Sequence, residues 1–181
     1  MKTKTFYLLM FLTVMVGGVT DARADTTHKL SLNGSASESL NNGIYGSTSF
    51  FTVARTSGAI NYNPKFKDAS YDGINFTSGL KMESNVTISF TTSSISTVTI
   101  VQSSLIVNGS QHTITWNGTA QIVPASESGS GYYEYTFENV SAGTHTIGRG
   151  SGESGIFYVK VVEHSFTTDY TVTNVTLDGI G

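Results

Sequence analysis

Alternation of apolar and polar residues over short stretches is the main pattern of this chain. It is clearest in residues 79–90, where every second side chain is apolar apart from an irregularity at Glu83–Asn85. Because successive side chains of a β-strand point to opposite faces, the pattern predicts a strand with one buried and one polar face. The apolar positions are Leu80, Met82, Val86, Ile88 and Phe90.

Similar patterns recur along the chain, separated by turn residues about every ten positions. Asn108-Gly109 and Asn117-Gly118 predict type I′ hairpin turns, which need positive φ at both central residues. No amphipathic helix pattern follows residue 24. We therefore expect an all-β fold, an antiparallel β-sandwich of jelly-roll type. Further strands are expected at Ser49–Val53, Thr97–Gln102, Gln111–Trp116, Thr119–Val123, Tyr132–Glu138, Thr144–Ile147, Ile156–Val162 and Ser165–Leu177. For residues 26–45 two alternatives stay open, a short edge strand at Lys29–Leu32 and a partly ordered lead-in.

The first 24 residues have the features of a secretory signal peptide. Lys2 and Lys4 precede an apolar run, residues 6–16, and Ala22-Arg23-Ala24 has the A-x-A form of a cleavage site. The run is too short for a membrane anchor, so we expect a protein that is secreted or held at the cell surface or in the periplasm, with no membrane insertion. The short signal peptide favours a bacterial source. The expected regions are a signal peptide at 1–24, a lead-in at 25–46, a β-sandwich domain at 47–164 and a C-terminal strand or tail at 165–181.

Net charge and cysteine content exclude several classes of partner and chemistry. Residues 25–181 hold 7 Lys and Arg against 12 Asp and Glu, a formal charge of −5, which argues against nucleic acid as a partner. The chain has no cysteine, which excludes thiolate metal sites and cysteine nucleophiles. A domain of this length can bury a core without disulfides.

No motif of the chain predicts catalysis. Gly150–Gly155 matches the spacing G-x-G-x-x-G, but a strand rather than a helix is expected after it, so we do not expect a dinucleotide site. Glu134 and Glu138 share the polar face of one predicted strand, about 13 Å apart, which is too far for the paired carboxylates of a glycosidase. We therefore expect that the protein is not an enzyme, although other pairs of carboxylates remain candidates for catalysis.

Residues 54–71 show little periodicity and predict a long loop, the kind of segment in which binding residues collect on a β scaffold. Asp68 and Asp72 are candidate ligands of a structural Ca²⁺, with a solvated loop as the alternative. No other cofactor is expected. Further polar or aromatic residues of this region are Lys65, Lys67 and Tyr71.

The stretch Gly143–Val162 carries the main candidate binding residues. It predicts two strands joined by the loop 148–155, whose four glycines let a partner approach the backbone closely. Arg149 is the strong donor of this loop. In the second strand, Tyr158 and Lys160 share one face, which would present an aromatic ring and a cation to a sugar. Phe157, Val159 and Val161 are expected on the opposite face, towards the core.

Four segments carry a resemblance to a known family. The strand LKMES, residues 80–84, with VTISFT at 86–91, THTIGR at 144–149 and GIFYVKV at 155–161, resembles the pectin-binding carbohydrate-binding modules associated with bacterial pectate lyases. The resemblance covers residues 47–162 and implies a non-catalytic β-sandwich that binds homogalacturonan, the acidic polymer of pectin, through lysines.

The resemblance also implies which residues bind. Lys81 stands at the position of the family's lysine in LKMES, and Arg149 stands where a basic residue ends a strand. Cations at these places suit an acidic polymer, because its carboxylates need charged or bidentate donors. Near Ser94–Thr97, where a further lysine is expected, the chain has only Ser, Ile and Thr, which leaves a neutral glycan open.

The resulting hypothesis is an exported, non-catalytic carbohydrate-binding module for a plant cell-wall polysaccharide, with pectin as the expected ligand. Its candidate binding residues are Lys81, Arg149, Lys160, and Tyr71 and Tyr158 as stacking platforms. Two alternatives stay open. One is a surface or adhesion β-sandwich that contacts protein, and the other is a polysaccharide lyase or hydrolase.

Overall fold

The fold is built from short antiparallel strands, as this computed structural model shows. The residues described are 24–34, 39–40, 43–44, 50–67, 69–105, 113–127 and 131–165. The expected signal peptide up to residue 23, the Asn108-Gly109 turn and the tail from residue 166 lie outside these ranges. No helix in the ranges given is both long and apolar enough to cross a membrane.

The strands are named in chain order. They are β1 Thr26–Ser31, β2 Ser39–Leu40, β3 Gly43–Ile44, β4 Thr52–Arg55, β5 Ile60–Asn63, β6 Ala69–Tyr71, β7 Ile74–Phe76, β8 Gly79–Met82, β9 Val86–Thr92, β10 Ser96–Ser103, β11 Thr113–Trp116, β12 Thr119–Ile122, β13 Tyr132–Val140, β14 Gly143–Arg149 and β15 Ser154–Glu163. A short 3₁₀ helix, Ala125–Glu127, follows β12.

Two sheets form a sandwich, and a hairpin stands apart from them. The first sheet has the order β13-β10-β15-β8-β5-β2, with β1 also paired to β15, and the second has the order β12-β11-β14-β9-β4-β3. The hairpin is β6-β7. All described pairings are antiparallel, so the predicted all-β, antiparallel β-sandwich is confirmed.

The main core lies between the two sheets and takes side chains from both. Alternation places them there, as in β9, where buried and exposed residues follow one another along the strand. Removal of this apolar surface from water is the main source of stability in a chain without disulfides. Fully buried members include Leu30, Val53, Leu80, Ile88, Ile100, Ile147 and Val159.

A second apolar cluster covers the outer face of the first sheet. Phe66, Phe76, Phe157 and Tyr158 belong to it, together with residues of the β6-β7 hairpin. The register between β10 and β15 shifts at Val101, which leaves Phe157 as an extra residue in β15. The predicted facing of this strand is therefore wrong at two positions, because Ile156 joins the main core and Phe157 the outer cluster.

Two further sequence predictions need correction. The alternating stretch 79–90 is two strands in different sheets, because the irregularity at Glu83–Asn85 is the turn by which the chain crosses from one sheet to the other. The long loop predicted at 54–71 contains β5 and the whole of β6. A turn with positive φ at Asp72 and Gly73 joins β6 to β7.

Candidate functional site

A polar cleft of about 300 Å³ lies at the end of the sandwich where the β8–β9 turn crosses between the sheets. It brings together parts of the chain that are far apart in sequence. Its lining residues are Arg55, Lys81, Met82, Glu83, Ser84, Arg149 and Glu153.

Strand ends position the three cations of the cleft. Arg55 is the last residue of β4 and pairs with Val86 at the start of β9. Arg149 is the last residue of β14, which flanks β9 on its other side. Lys81 lies opposite Gly155 in the first sheet and points outwards, since its neighbours Leu80 and Met82 fill the core.

Arg55 holds the base of the cleft together. Its guanidinium forms an ion pair with Glu83, and its Nε donates a hydrogen bond to Asn85 Oδ1 at 3.0 Å. Its Nη1 also donates to the carbonyl of Ala59. With 16% of its side chain exposed, Arg55 ties the loop after β4 to the β8–β9 turn, a structural role that leaves little of it for a ligand.

Lys81 lies between two carboxylates. Its Nζ is 3.2 Å from Glu153 Oε1 and 3.5 Å from Glu83 Oε1, and 30% of its side chain is exposed. Asn63 Nδ2 donates to the same oxygen of Glu153 at 3.3 Å. Lys81 is thus oriented by its neighbours and remains accessible from the open side of the cleft.

Arg149 is the most accessible cation of the cleft. It is exposed, and its Nε donates to the carbonyl of Gly152 at 2.9 Å, which fixes the side chain against the β14–β15 loop. Within the part of the chain that the structure describes, it forms no ion pair. The terminal nitrogens of such a guanidinium can donate two parallel hydrogen bonds to a carboxylate.

The cleft therefore holds three cations and two carboxylates. This local excess of positive charge contrasts with the net negative charge of the chain. Lys81 and Arg149, predicted from the sequence, lie in the same cleft.

The other three residues predicted for the site lie elsewhere. Tyr158 was expected as an exposed platform, but only 1% of it is exposed, and its hydroxyl donates to Asp72. Burial raises the pKa of Tyr158, and the hydrogen bond to Asp72 raises it further. The prediction of a stacking platform is wrong here, because the β6-β7 hairpin covers this face of the first sheet.

Tyr71 and Lys160 belong to the same covered face. The ring of Tyr71 is half-buried and packs against Tyr132 and Tyr158, with centroids 5.7 Å and 5.3 Å away. Lys160 is partly exposed and pairs in register with Lys29. Five residues of β15 separate Lys160 from Gly155, the partner of Lys81, a distance of about 16 Å. These residues are thus not brought into the cleft.

Of the two predicted Ca²⁺ ligands, Asp68 and Asp72, only Asp72 is among the described residues. Asp72 accepts a hydrogen bond from Lys29 Nζ at 2.7 Å and one from Tyr158, and both lower the pKa of its carboxyl. Among the described residues, no three His, Cys, Asp or Glu side chains are placed together to hold a metal ion.

Sequence reasoning missed the three other charged lining residues, Arg55, Glu83 and Glu153. Arg55 directly follows an apolar strand pattern, and Glu83 marks the irregularity in the next one. Charged residues at strand ends are a usable signal, because strand ends meet at the rims of a sandwich. Their convergence, however, depends on strand order, which the pattern does not contain.

A β-sandwich with a cationic cleft at its rim has the architecture of a ligand-binding module. The chain matches the family Carbohydrate binding module 77 over residues 35–159, more than half of its length, and belongs to that family. A comparison with curated proteins finds no match.

The chain is similar to solved structures to different degrees, and the first one below shares its fold. One was solved in a study of the Ruminococcus flavefaciens cellulosome and its expansion in glycan recognition. It is 23% identical to this chain, with a TM-score of 0.50, and the match covers 77% of this chain and 97% of that chain. The C-terminal CBM6 of the laminarinase LamC from Zobellia galactanivorans is 14% identical, with a TM-score of 0.37, over 76% of this chain and 100% of that chain. The catalytic unit of a GH87 α-1,3-glucanase from Streptomyces thermodiastaticus is 13% identical, with a TM-score of 0.33, over 69% of this chain and 28% of that chain.

Proposed function

We propose that this chain is an exported, non-catalytic carbohydrate-binding module whose cleft binds an acidic plant cell-wall polysaccharide, with homogalacturonan (pectin) as the ligand. The observation that supports the proposal most is the shared cleft of Lys81 and Arg149. A galacturonate unit presents a carboxylate and ring hydroxyls. A guanidinium can bind this carboxylate through two parallel hydrogen bonds, and an ammonium adds a point charge.

The cations have different roles in this proposal. Arg149 binds a ligand carboxylate directly, because it is exposed and the described residues give it no competing carboxylate. Lys81 is shared with Glu83 and Glu153, so a ligand carboxylate competes with them for its Nζ. Arg55 supports the turn that carries Glu83 and is not a direct ligand contact.

The arrangement of the carboxylates supports binding rather than hydrolysis. A glycosidase uses one carboxyl group as a proton donor and the other as a base or nucleophile. Glu83 is paired with Arg55 and Lys81, and Glu153 with Lys81. Both carboxylates thus serve to hold cations in place.

The surface gives little support to a protein-contact module. Such a module would use a large exposed apolar patch. Among the described residues, only Ile95 and Ile122 are large apolar side chains with more than a third of their surface exposed, at 37% and 55%.

The test is affinity gel electrophoresis in polygalacturonate. The double variant Lys81→Ala/Arg149→Ala should lose its retardation, while its thermal unfolding stays cooperative. The matched control is Lys29→Ala/Lys160→Ala, which removes the same charge from strands β1 and β15, outside the cleft. Loss of retardation in the control, with retention in the cleft variant, would contradict the proposed site. No retardation of the unaltered chain would contradict pectin as the ligand.

A further inference from the structure

A second pocket, of about 510 Å³, lies towards the other end of strands β4, β9 and β14. Its chemistry differs from that of the cleft, since no Lys, Arg, Asp or Glu of the described residues lines it. The lining residues are His28, Phe50, Thr52, Ser89, Phe90, Thr91 and Thr144.

Four hydroxyl groups come to this pocket from three neighbouring strands of the second sheet. Thr52 pairs in register with Ser89, and Thr91 with Thr144. The hydroxyls of Thr91 and Thr144 hydrogen-bond to each other at 3.0 Å. Those of Thr52 and Ser89 have no protein partner within the described part of the chain, so they are free to bond to a ligand.

Two stacked rings form the apolar wall of the pocket. The imidazole of His28 lies flat on Phe50, with ring centroids 3.7 Å apart and an interplanar angle of 2°. Phe50 in turn lies 5.7 Å from the ring of Phe90. These rings give the pocket an apolar side for the C–H groups of a pyranose ring, while the sugar's hydroxyls need donors and acceptors beside it.

The wall is held in position by a hydrogen-bonded relay. His28 Nε2 lies 2.9 Å from Glu163 Oε2. The other oxygen of Glu163 accepts from the backbone N–H of Ser93 at 2.5 Å and from its hydroxyl at 2.8 Å. The ring pair is thus ordered without ligand, which reduces the entropy lost on binding.

We propose that this pocket is a second binding site, for an uncharged pyranose oligosaccharide. Its hydroxyls and ring wall contact the sugar without any ionic interaction. Five residues of β14 separate Thr144 from Arg149, about 17 Å along the strand, so the pocket and the cleft are occupied independently. The inference goes beyond the proposed binding of an acidic polymer and does not depend on it.

The experiment is affinity gel electrophoresis in six uncharged polysaccharides of pyranose units: galactan, glucomannan, xyloglucan, mannan, xylan and mixed-linkage glucan. We expect at least one to retard the unaltered chain, to the same extent at low and high salt, because uncharged ligands are not screened. The variant Thr52→Val/Ser89→Ala should lose at least ten-fold in affinity for that polysaccharide. The control Thr87→Val/Thr146→Val removes hydroxyls from the same strands outside the pocket and should bind as the unaltered chain does.

Each result decides the proposal. Retardation by none of the six polysaccharides overturns it, and so does retardation that the Thr52→Val/Ser89→Ala variant retains. Retardation lost in the Lys81→Ala/Arg149→Ala variant would assign uncharged sugars to the cleft and also overturn it. Polygalacturonate, run in parallel, separates this proposal from the first, because the pocket variant should bind it unchanged.

Discussion

Lys81 and Arg149 belong to different sheets of the sandwich, yet both line one cleft. Their convergence results from the β8–β9 turn, which passes from the first sheet to the second between them. A cation from each layer can then contact one ligand.

Removal of the Glu153 charge should strengthen binding of an acidic ligand. Glu153→Gln frees Lys81 from its nearer carboxylate and keeps an oxygen that can accept the Asn63 hydrogen bond. We expect the Kd for a galacturonate oligosaccharide to fall about two- to five-fold, with a larger effect at low salt, because the gain is electrostatic. Isothermal titration calorimetry at two salt concentrations measures it.

Glu138→Gln is the matched control for this change, since Glu138 is exposed on β13 and does not line the cleft. Equal gains in both variants would mean that overall charge, rather than the release of Lys81, is responsible.

Gly155→Ala should destabilise the fold through a clash with Phe66. A Cβ at Gly155 would lie 2.4 Å from Phe66 Cγ, far inside van der Waals contact. Overpacking of this kind costs about 1–3 kcal/mol in the free energy of unfolding, which urea denaturation measures. In a Phe66→Ala background the same substitution should cost less, because the ring is gone and only the contact with the Cβ of residue 66, at 2.9 Å, remains. An equal cost in both backgrounds would contradict this packing.

Asn117→Ala should destabilise the protein by more than the cost of placing Ala at a positive φ in the β11–β12 turn. Asn117 Nδ2 donates to His145 Nδ1 at 3.1 Å, and its Oδ1 accepts from the Thr146 N–H at 2.9 Å. His145 Nε2 lies 3.0 Å from the carbonyl of Ser141, so Nε2 carries the proton and Nδ1 is the acceptor. We expect a loss of about 1–3 kcal/mol relative to Asn139→Ala.

Asn139 is the proper reference because its φ of 55° resembles the 47° of Asn117. Ala meets a similar strain at both positions, and the difference between the variants isolates the side-chain hydrogen bonds. Differential scanning calorimetry of the two variants gives that difference, and equal melting temperatures would contradict the assigned role.

Alkaline pH should destabilise the protein. Burial raises the pKa of Tyr71, Tyr135 and Tyr158 above the ordinary value, and the Asp72 carboxylate raises that of Tyr158 further. Because the folded pKa exceeds the unfolded one, the stabilisation is complete below about pH 10 and is lost as pH rises above it. Melting temperatures measured from about pH 8 to about pH 11 should fall, less steeply in Tyr158→Phe. A fall of equal slope in that variant would exclude Tyr158 as a contributor.

Part of the candidate site could be predicted from the sequence. Lys81 and Arg149 stood out because a family resemblance and a glycine-rich loop marked them. Glu153 and Arg55 did not, because their importance lies in ion pairs with residues distant in the chain. Tyr158 was misassigned because alternation reports which face a side chain takes, whereas the hairpin that covers this face is a tertiary feature.

The sequence by itself determined the all-β class and the hairpin turn at Asn117-Gly118, where φ is 47° and 82°. Both depend on local properties, the period of a strand and the backbone that Asn and Gly tolerate. Only the tertiary structure decided that Lys81 and Arg149 share a cleft and that Tyr158 is buried. The reason is that these relations depend on strand order and on what packs over each sheet face, which result from contacts between residues far apart in the chain.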